Sequence, residues 1–157
     1  MSQLESQLEM SGEVAIAEQS AKASAKTSAQ SLVEQYFDSF CQQRFDQCAA
    51  LFEPTGELHP PMDAPVVGRA DILAYLAQKA SEMTATAQQW DMQPTAEGNW
   101  EIEVSGHVQA KVFQVNVAWH FIVTPANEIA YLRIKLLASL VELVNFPAAV
   151  RAANSSG

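Results

Sequence analysis

The sequence predicts an α+β fold: helices on one side of a curved antiparallel sheet, wrapped around an apolar cavity. Three observations carry this. Apolar residues recur at three-and-four spacing in the first half of the chain and at a period of two in the second. Glycine, proline and asparagine punctuate the second half where strands should turn. Hydrophobic residues make up 48% of the 157, sufficient for one domain with a core of its own.

The elements follow in order. Residues 1–30 are rich in Ser, Ala, Gln and Glu and lack aromatics, which predicts a flexible or loosely helical arm outside the core. The body is expected over 31–147, followed by a tail over 148–157. Leu32, Val33, Tyr36, Phe37 and Phe40 mark an amphipathic first helix. A short second helix is expected around Phe45 to Phe52. The stretch FEPTGELHPPMDAPVVG, with four prolines and two glycines, reads as a loop broken by a short extended piece near Leu58. Ile72, Leu73, Tyr75 and Leu76 suit a third helix from about Arg69 to Met83.

A meander of about four antiparallel strands comes next. Ile102, Val104, Gly106, Val108 and Ala110 alternate with Glu101, Glu103, Ser105, His107, Gln109 and Lys111. Phe113, Val115, Val117, Trp119 and Phe121 form one face of the following strand. Ala130, Leu132, Ile134, Leu136 and Ala138 do so in the last. Turns are expected at Glu97-Gly98-Asn99 and Pro125-Ala126-Asn127, and a short helix from Leu140 to Phe146 before Pro147.

Composition narrows the function. The net charge is −9, of which the first thirty residues carry −2. Such an acidic chain repels nucleic-acid phosphates and anionic lipid surfaces alike. No apolar run approaches the roughly 18–20 residues of a membrane span, and MSQLESQLEM lacks a secretory signal's apolar core. A cytoplasmic location is expected. Cys41 and Cys48 read either as two reduced thiols or as the source of one intersubunit link.

Strand parity bears on chemistry. The apolar parity must face the helices, because the other carries the charges. A cone-type isomerase or dehydratase needs an Asp or His base pointing inward, yet His107 and His120 fall on the outward parity. The parity of Asp91 stays open. His59 and Asp63, four apart in the proline loop, are either solvated or an acid–base relay at the cavity mouth. No metal-ligand cluster, nucleophile elbow or phosphate-cradling loop is present in the sequence. Two polar-tipped aromatics share the inward faces, Tyr36 and Trp119. They are ordinary core residues, or their O–H and N–H converge on one ligand acceptor.

The element order and GRADILAYL resemble the nuclear transport factor 2-like superfamily, whose members include isomerases, dehydratases, transport factors and ligand binders. More specifically, FDQCAALFEPTGELHPPMDAPVVG, EIEVSGHVQAKVF, NVAWHFIVTP and IKLLASLVELVNF resemble the C-terminal domain of the orange carotenoid protein family and its free-standing homologues. The resemblance implies a ketocarotenoid, canthaxanthin- or echinenone-like, whose keto oxygen accepts hydrogen bonds from Tyr36 and Trp119. It implies a pocket lined by Phe40, Met83, Val104, Val108, Phe113, Val117, Ile134 and Leu136. A cysteine that the family carries on its third helix corresponds to Ala80, and a family loop is shortened between Lys111 and Asn116. The resemblance further implies carotenoid exchange with helical carotenoid proteins or membranes, and singlet-oxygen quenching. One small cone cannot cover a whole polyene, so a C2 homodimer sharing one carotenoid is expected. Two other readings stand beside this one: a cone-type enzyme using His59 or Asp63 on a small apolar substrate, and a ligand-free dimeric interaction module.

Overall fold

A computed structural model describes the backbone of residues 2–137, with side chains described from residue 17 onward. The expected helix over Leu140 to Phe146 and the tail over 148–157 lie outside the described residues. The elements are α1 (Ser2–Cys41), α2 (Phe45–Ala50), β1 (Phe52–His59), β2 (Val66–Val67), α3 (Arg69–Lys79), β3 (Thr84–Pro94), β4 (Trp100–Gln109), β5 (Gln114–Val123) and β6 (Ile129–Leu137). Six strands form one curved sheet in the order β2-β1-β6-β5-β4-β3.

The first helix begins well before Ser31. Residues 17–28 are exposed, and the buried face starts at Ala29 and continues through Leu32, Val33, Tyr36, Phe37 and Phe40. This stripe lies across the sheet, against β3 and β4. The chain leaves α1 through Gln43, whose φ is +64°. The Gln43 side chain then fastens that corner to the start of β3: its Nε2 donates to the Met83 carbonyl at 2.9 Å and its Oε1 accepts from the Glu82 N–H at 2.6 Å. The Cys41 thiol donates to the Ala85 carbonyl at 3.2 Å beside it.

The sheet is mixed, which corrects the expectation of a purely antiparallel one. β1 pairs in parallel with β6, while every other pair is antiparallel. The short extended piece near Leu58 is therefore a strand of eight residues. Pro54 and Gly56 disguise it in the sequence because pairing is interrupted there: Phe52 faces Ile129, and the next partners are Glu57 and Tyr131. A Cβ on Gly56 would stand 2.8 Å from the Ile129 carbonyl oxygen, so the interruption needs glycine.

The β3–β6 meander matches the expected period, and its tight turns fall where expected. Gly98 at φ +87° and Asn127 at φ +62° sit at the two corners. One parity requires correction. A bulge between Ile122 and Val123 shifts the β5–β6 register, so Ile129 rather than Ala130 faces inward beside Leu132. A second bulge, between Ala87 and Gln89, brings Trp90 opposite Val104 and Asp91 opposite Glu103. Asp91 thereby takes the outward parity.

Candidate functional site

Inward residues of the sheet divide into two zones. At one end Ile102, Val104, Phe121, Val123, Ile129 and Leu132 are fully buried in the core. At the other end the sheet and the helices separate, leaving an apolar cavity of about 350 Å³, a volume in the range of small-molecule sites. Two further depressions are more polar. The larger, about 410 Å³, lies between α1 and α2 and is lined by Gln35, Asp38, Ser39, Gln42 and Gln47.

Three sources build the apolar cavity. The sheet supplies Leu58 from β1, Val108 from β4, Val115, Val117 and Trp119 from β5, and Ile134 and Leu136 from β6. Helical positions supply Phe40 from α1, and Tyr75, Leu76 and Lys79 from α3, with Ala80 and Met83 just beyond it. Pro60, Pro61, Met62 and Phe113 complete the mouth. Cross-strand register explains the grouping on the sheet, since Trp119 faces Ile134 and Val117 faces Leu136.

Of the residues singled out in the sequence, Phe40, Met83, Val108, Phe113, Val117, Trp119, Ile134 and Leu136 line this cavity. Val104 does not; it lies deeper, paired with Trp119 and fully buried. Tyr36 also stands outside the lining. Its ring is packed among Phe37, Phe40, Phe52 and Phe121, with centroids 5.5–6.4 Å away. Phe37 stands between the two aromatic donors, 4.8 Å from Trp119 and 5.6 Å from Tyr36 in edge-to-face contact. The Tyr36 hydroxyl is buried and finds no hydrogen-bond partner among the described residues. Burial, followed by the nearby Cys48, holds this phenol far above the usual tyrosine range.

Sequence reasoning did not name Leu58, Pro60, Pro61, Met62, Tyr75, Leu76, Lys79, Ala80 and Val115 as wall residues. A signal was available for some of them. Tyr75, Leu76, Lys79 and Ala80 are linked by the three- and four-residue spacings that put side chains on one helical face.

The candidate relay does not form. His59 is on the outward parity of β1, its ring 4.6 Å from that of Tyr131 and its Nε2 2.8 Å from Glu57 Oε1. Asp63 instead accepts a hydrogen bond from the Tyr75 hydroxyl at 2.6 Å. Burial first, then that bond and the carboxylate's charge, push the Tyr75 phenol up. His120 is also outward, between Glu101 at 3.3 Å and Glu103 at 3.2 Å. Among the described residues Lys79 is the one charged side chain on the cavity wall.

Cys48 is fully buried, its thiol pushed up to about 12 by burial, then by Asp46 and Cys41. Of the two thiols, only Cys41 retains some exposure.

Comparison with known proteins agrees with this architecture. The nuclear transport factor 2 (NTF2) domain matches residues 28–133, and the chain belongs to that family. Within it, the chain is homologous to the C-terminal domain of orange carotenoid protein. The orange carotenoid-binding protein of Limnospira maxima is 34% identical over 119 residues, covering 73% of this chain and 38% of that protein. The Synechocystis sp. protein of the same name is 32% identical over 118 residues, covering 73% and 37%. The chain thus spans less than two fifths of the length of these relatives. Among solved structures, the orange carotenoid protein of Anabaena (Nostoc) sp. binding canthaxanthin superposes with a TM-score of 0.67 at 30% identity, covering 73% of this chain and 38% of that one. Nuclear transport factor 2 from Cryptosporidium parvum gives 0.63 at 18% identity, covering 71% and 94%, which reflects the fold alone. No described helix is long and apolar enough to cross a membrane.

Proposed function

We propose that this chain binds one end of a ketocarotenoid non-covalently and serves as a carotenoid carrier and singlet-oxygen quencher. The observation that carries the reading is a buried phenol without an acceptor among the described residues, one aromatic ring behind the Trp119 wall of an apolar cavity. An unpaired buried hydroxyl costs about 1–3 kcal/mol, and a ring carbonyl arriving through the cavity would pair it. Reaching Tyr36 requires Phe37 or Phe40 to yield, so binding repacks the aromatic cluster. The Anabaena relative's canthaxanthin supports the ligand class, and an echinenone-like ring presents the same acceptor.

Apolar burial supplies most of the affinity, at about 25 cal/mol per Å². The Tyr36 and Trp119 donors add about 0.5–1.5 kcal/mol each and discriminate against rings without oxygen. The binding unit in this reading is the body over 31–147. Its partner is a second copy, mouth to mouth, sharing one polyene. Support comes from the apolar rim: Met62 is 84% exposed, Val112 89% and Phe113 50%. Helical carotenoid proteins are the exchange partners in the same reading. Against a cone-type enzyme stand the outward His59 and the engagement of Asp63 by Tyr75.

Colour tests the proposal. The apoprotein is mixed with canthaxanthin, echinenone or β-carotene and passed over a gel-filtration column. A coloured protein peak with the ketocarotenoids, at the volume of a dimer and weaker with β-carotene, is expected. Colourless protein with both ketocarotenoids overturns it.

A further inference from the structure

We propose that residues 60–65 form a stiff strap across the cavity mouth, latched by Tyr75 and Asp63, that sets the rate of ligand exchange. The proposal rests on the apolar-ligand reading above. The strap joins β1 to β2 and reads Pro-Pro-Met-Asp-Ala-Pro. Its three prolines fix φ and remove three backbone donors. Among the described residues no backbone hydrogen bond ties the strap down, and Tyr75 to Asp63 is its one side-chain bond.

Three strap residues, Pro60, Pro61 and Met62, are also cavity wall. The strap therefore cannot move without opening the cavity. Tyr75 is wall as well, so the residue that holds the latch also meets whatever enters. Locked φ angles favour motion of the strap as a unit about its ends, with the 2.6 Å bond to the carboxylate as the contact to be broken. A latch of this kind alters opening equally in the free and occupied protein. It should change on- and off-rates together and leave affinity nearly unchanged.

Two readouts on the full chain test this, one of them independent of any ligand. In the free protein, conformational exchange is measured by amide-nitrogen relaxation dispersion at Met62, Asp63 and Ala64, which report strap opening without needing a hydrogen bond of their own. Canthaxanthin release is measured by visible absorption after adding excess phosphatidylcholine vesicles. Asp63→Ala should accelerate exchange at those three amides and canthaxanthin release by about 10-fold each, with Kd within about threefold of wild type. Tyr75→Phe, which keeps the ring, should accelerate both to the same extent. Asp63→Asn, which keeps an acceptor, should stay nearer wild type. Unchanged exchange in Asp63→Ala and Tyr75→Phe overturns the latch. Faster exchange with unchanged release overturns its control of the exit route. If wild-type protein takes up no canthaxanthin, the carotenoid reading fails together with gating of that ligand, and exchange alone decides whether the latch exists.

Discussion

The two faces of the sheet are built from alternate residues of the same strands, yet they do opposite work. On the inner face of β5, Val117, Trp119 and Phe121 are buried. On the outer face the neighbour His120 lies between Glu101 and Glu103, and across β6 the Tyr131 ring lies against His59 and within 6.2 Å of His120. Against the inner face packs the Tyr36 ring of α1, whose hydroxyl has no hydrogen-bond partner among the described residues. The outer face gathers charge and pairs it at the surface, where such pairs are worth about 0–1 kcal/mol. Apolar packing therefore resides on one face, and surface charge on the other.

The contrast breaks most sharply at Phe121. Truncation to Ala should cost about 3–5 kcal/mol in urea denaturation, because the ring is fully buried beside Tyr36 and Phe37. A loss below about 1 kcal/mol would show that the inner face is loosely packed.

The next effect appears in base. Cys48 has its thiol raised from 9.0 to about 12, so the fold favours the neutral form. The corresponding stability is fully present below pH 9 and is lost as pH rises from 9 towards 12. Cys48→Ala should flatten that limb of the stability–pH curve, whatever it costs at neutral pH. A limb of unchanged slope would assign the alkaline loss to other groups.

Tyr36→Phe should act with opposite signs on two properties. Removing an unpaired buried hydroxyl should stabilise the free protein by about 1 kcal/mol. In the ketocarotenoid complex the same change should weaken binding or blue-shift the visible band. Trp119→Phe should affect the spectrum in the same way. Unchanged spectra in both variants would misplace the ring contact.

The smallest effect is expected outside. His120→Gln should change stability by less than about 1 kcal/mol and leave the spectrum of the complex unaltered. A spectral change there would mean that the two faces communicate.

The faces were unequally legible in the sequence. β4 and β5 could be read directly, since Glu101, Glu103 and His107 alternate with Ile102, Val104 and Val108 over an uninterrupted ladder. Bulges defeated the same logic in β3 and β6. An extra residue there reverses parity without changing local composition, which left Asp91 open and put Ala130 in place of Ile129. β1 was hidden for a different reason: Pro54 and Gly56 signal a loop, and only the distant Ile129 and Tyr131 reveal the pairing around them. The cavity wall contributed by the sheet was readable by parity, but its mouth was not. Tyr75 and Asp63 are twelve residues apart, and their contact depends on how α3 packs beside β1.

The parallel β1–β6 pair also constrains how the chain reaches its fold. The meander from β3 to β6 consists of neighbours in sequence and can form by successive hairpins. β1 must await its partner across roughly seventy-five residues, and closing so long a loop is entropically costly and slow. The strap leaves directly from the end of β1, so the mouth should be the last part of the protein to acquire native structure. Pulse-labelling hydrogen exchange during refolding should protect the β4–β5 amides before those of Leu58 and His59; simultaneous protection would show that the sheet closes in a single step.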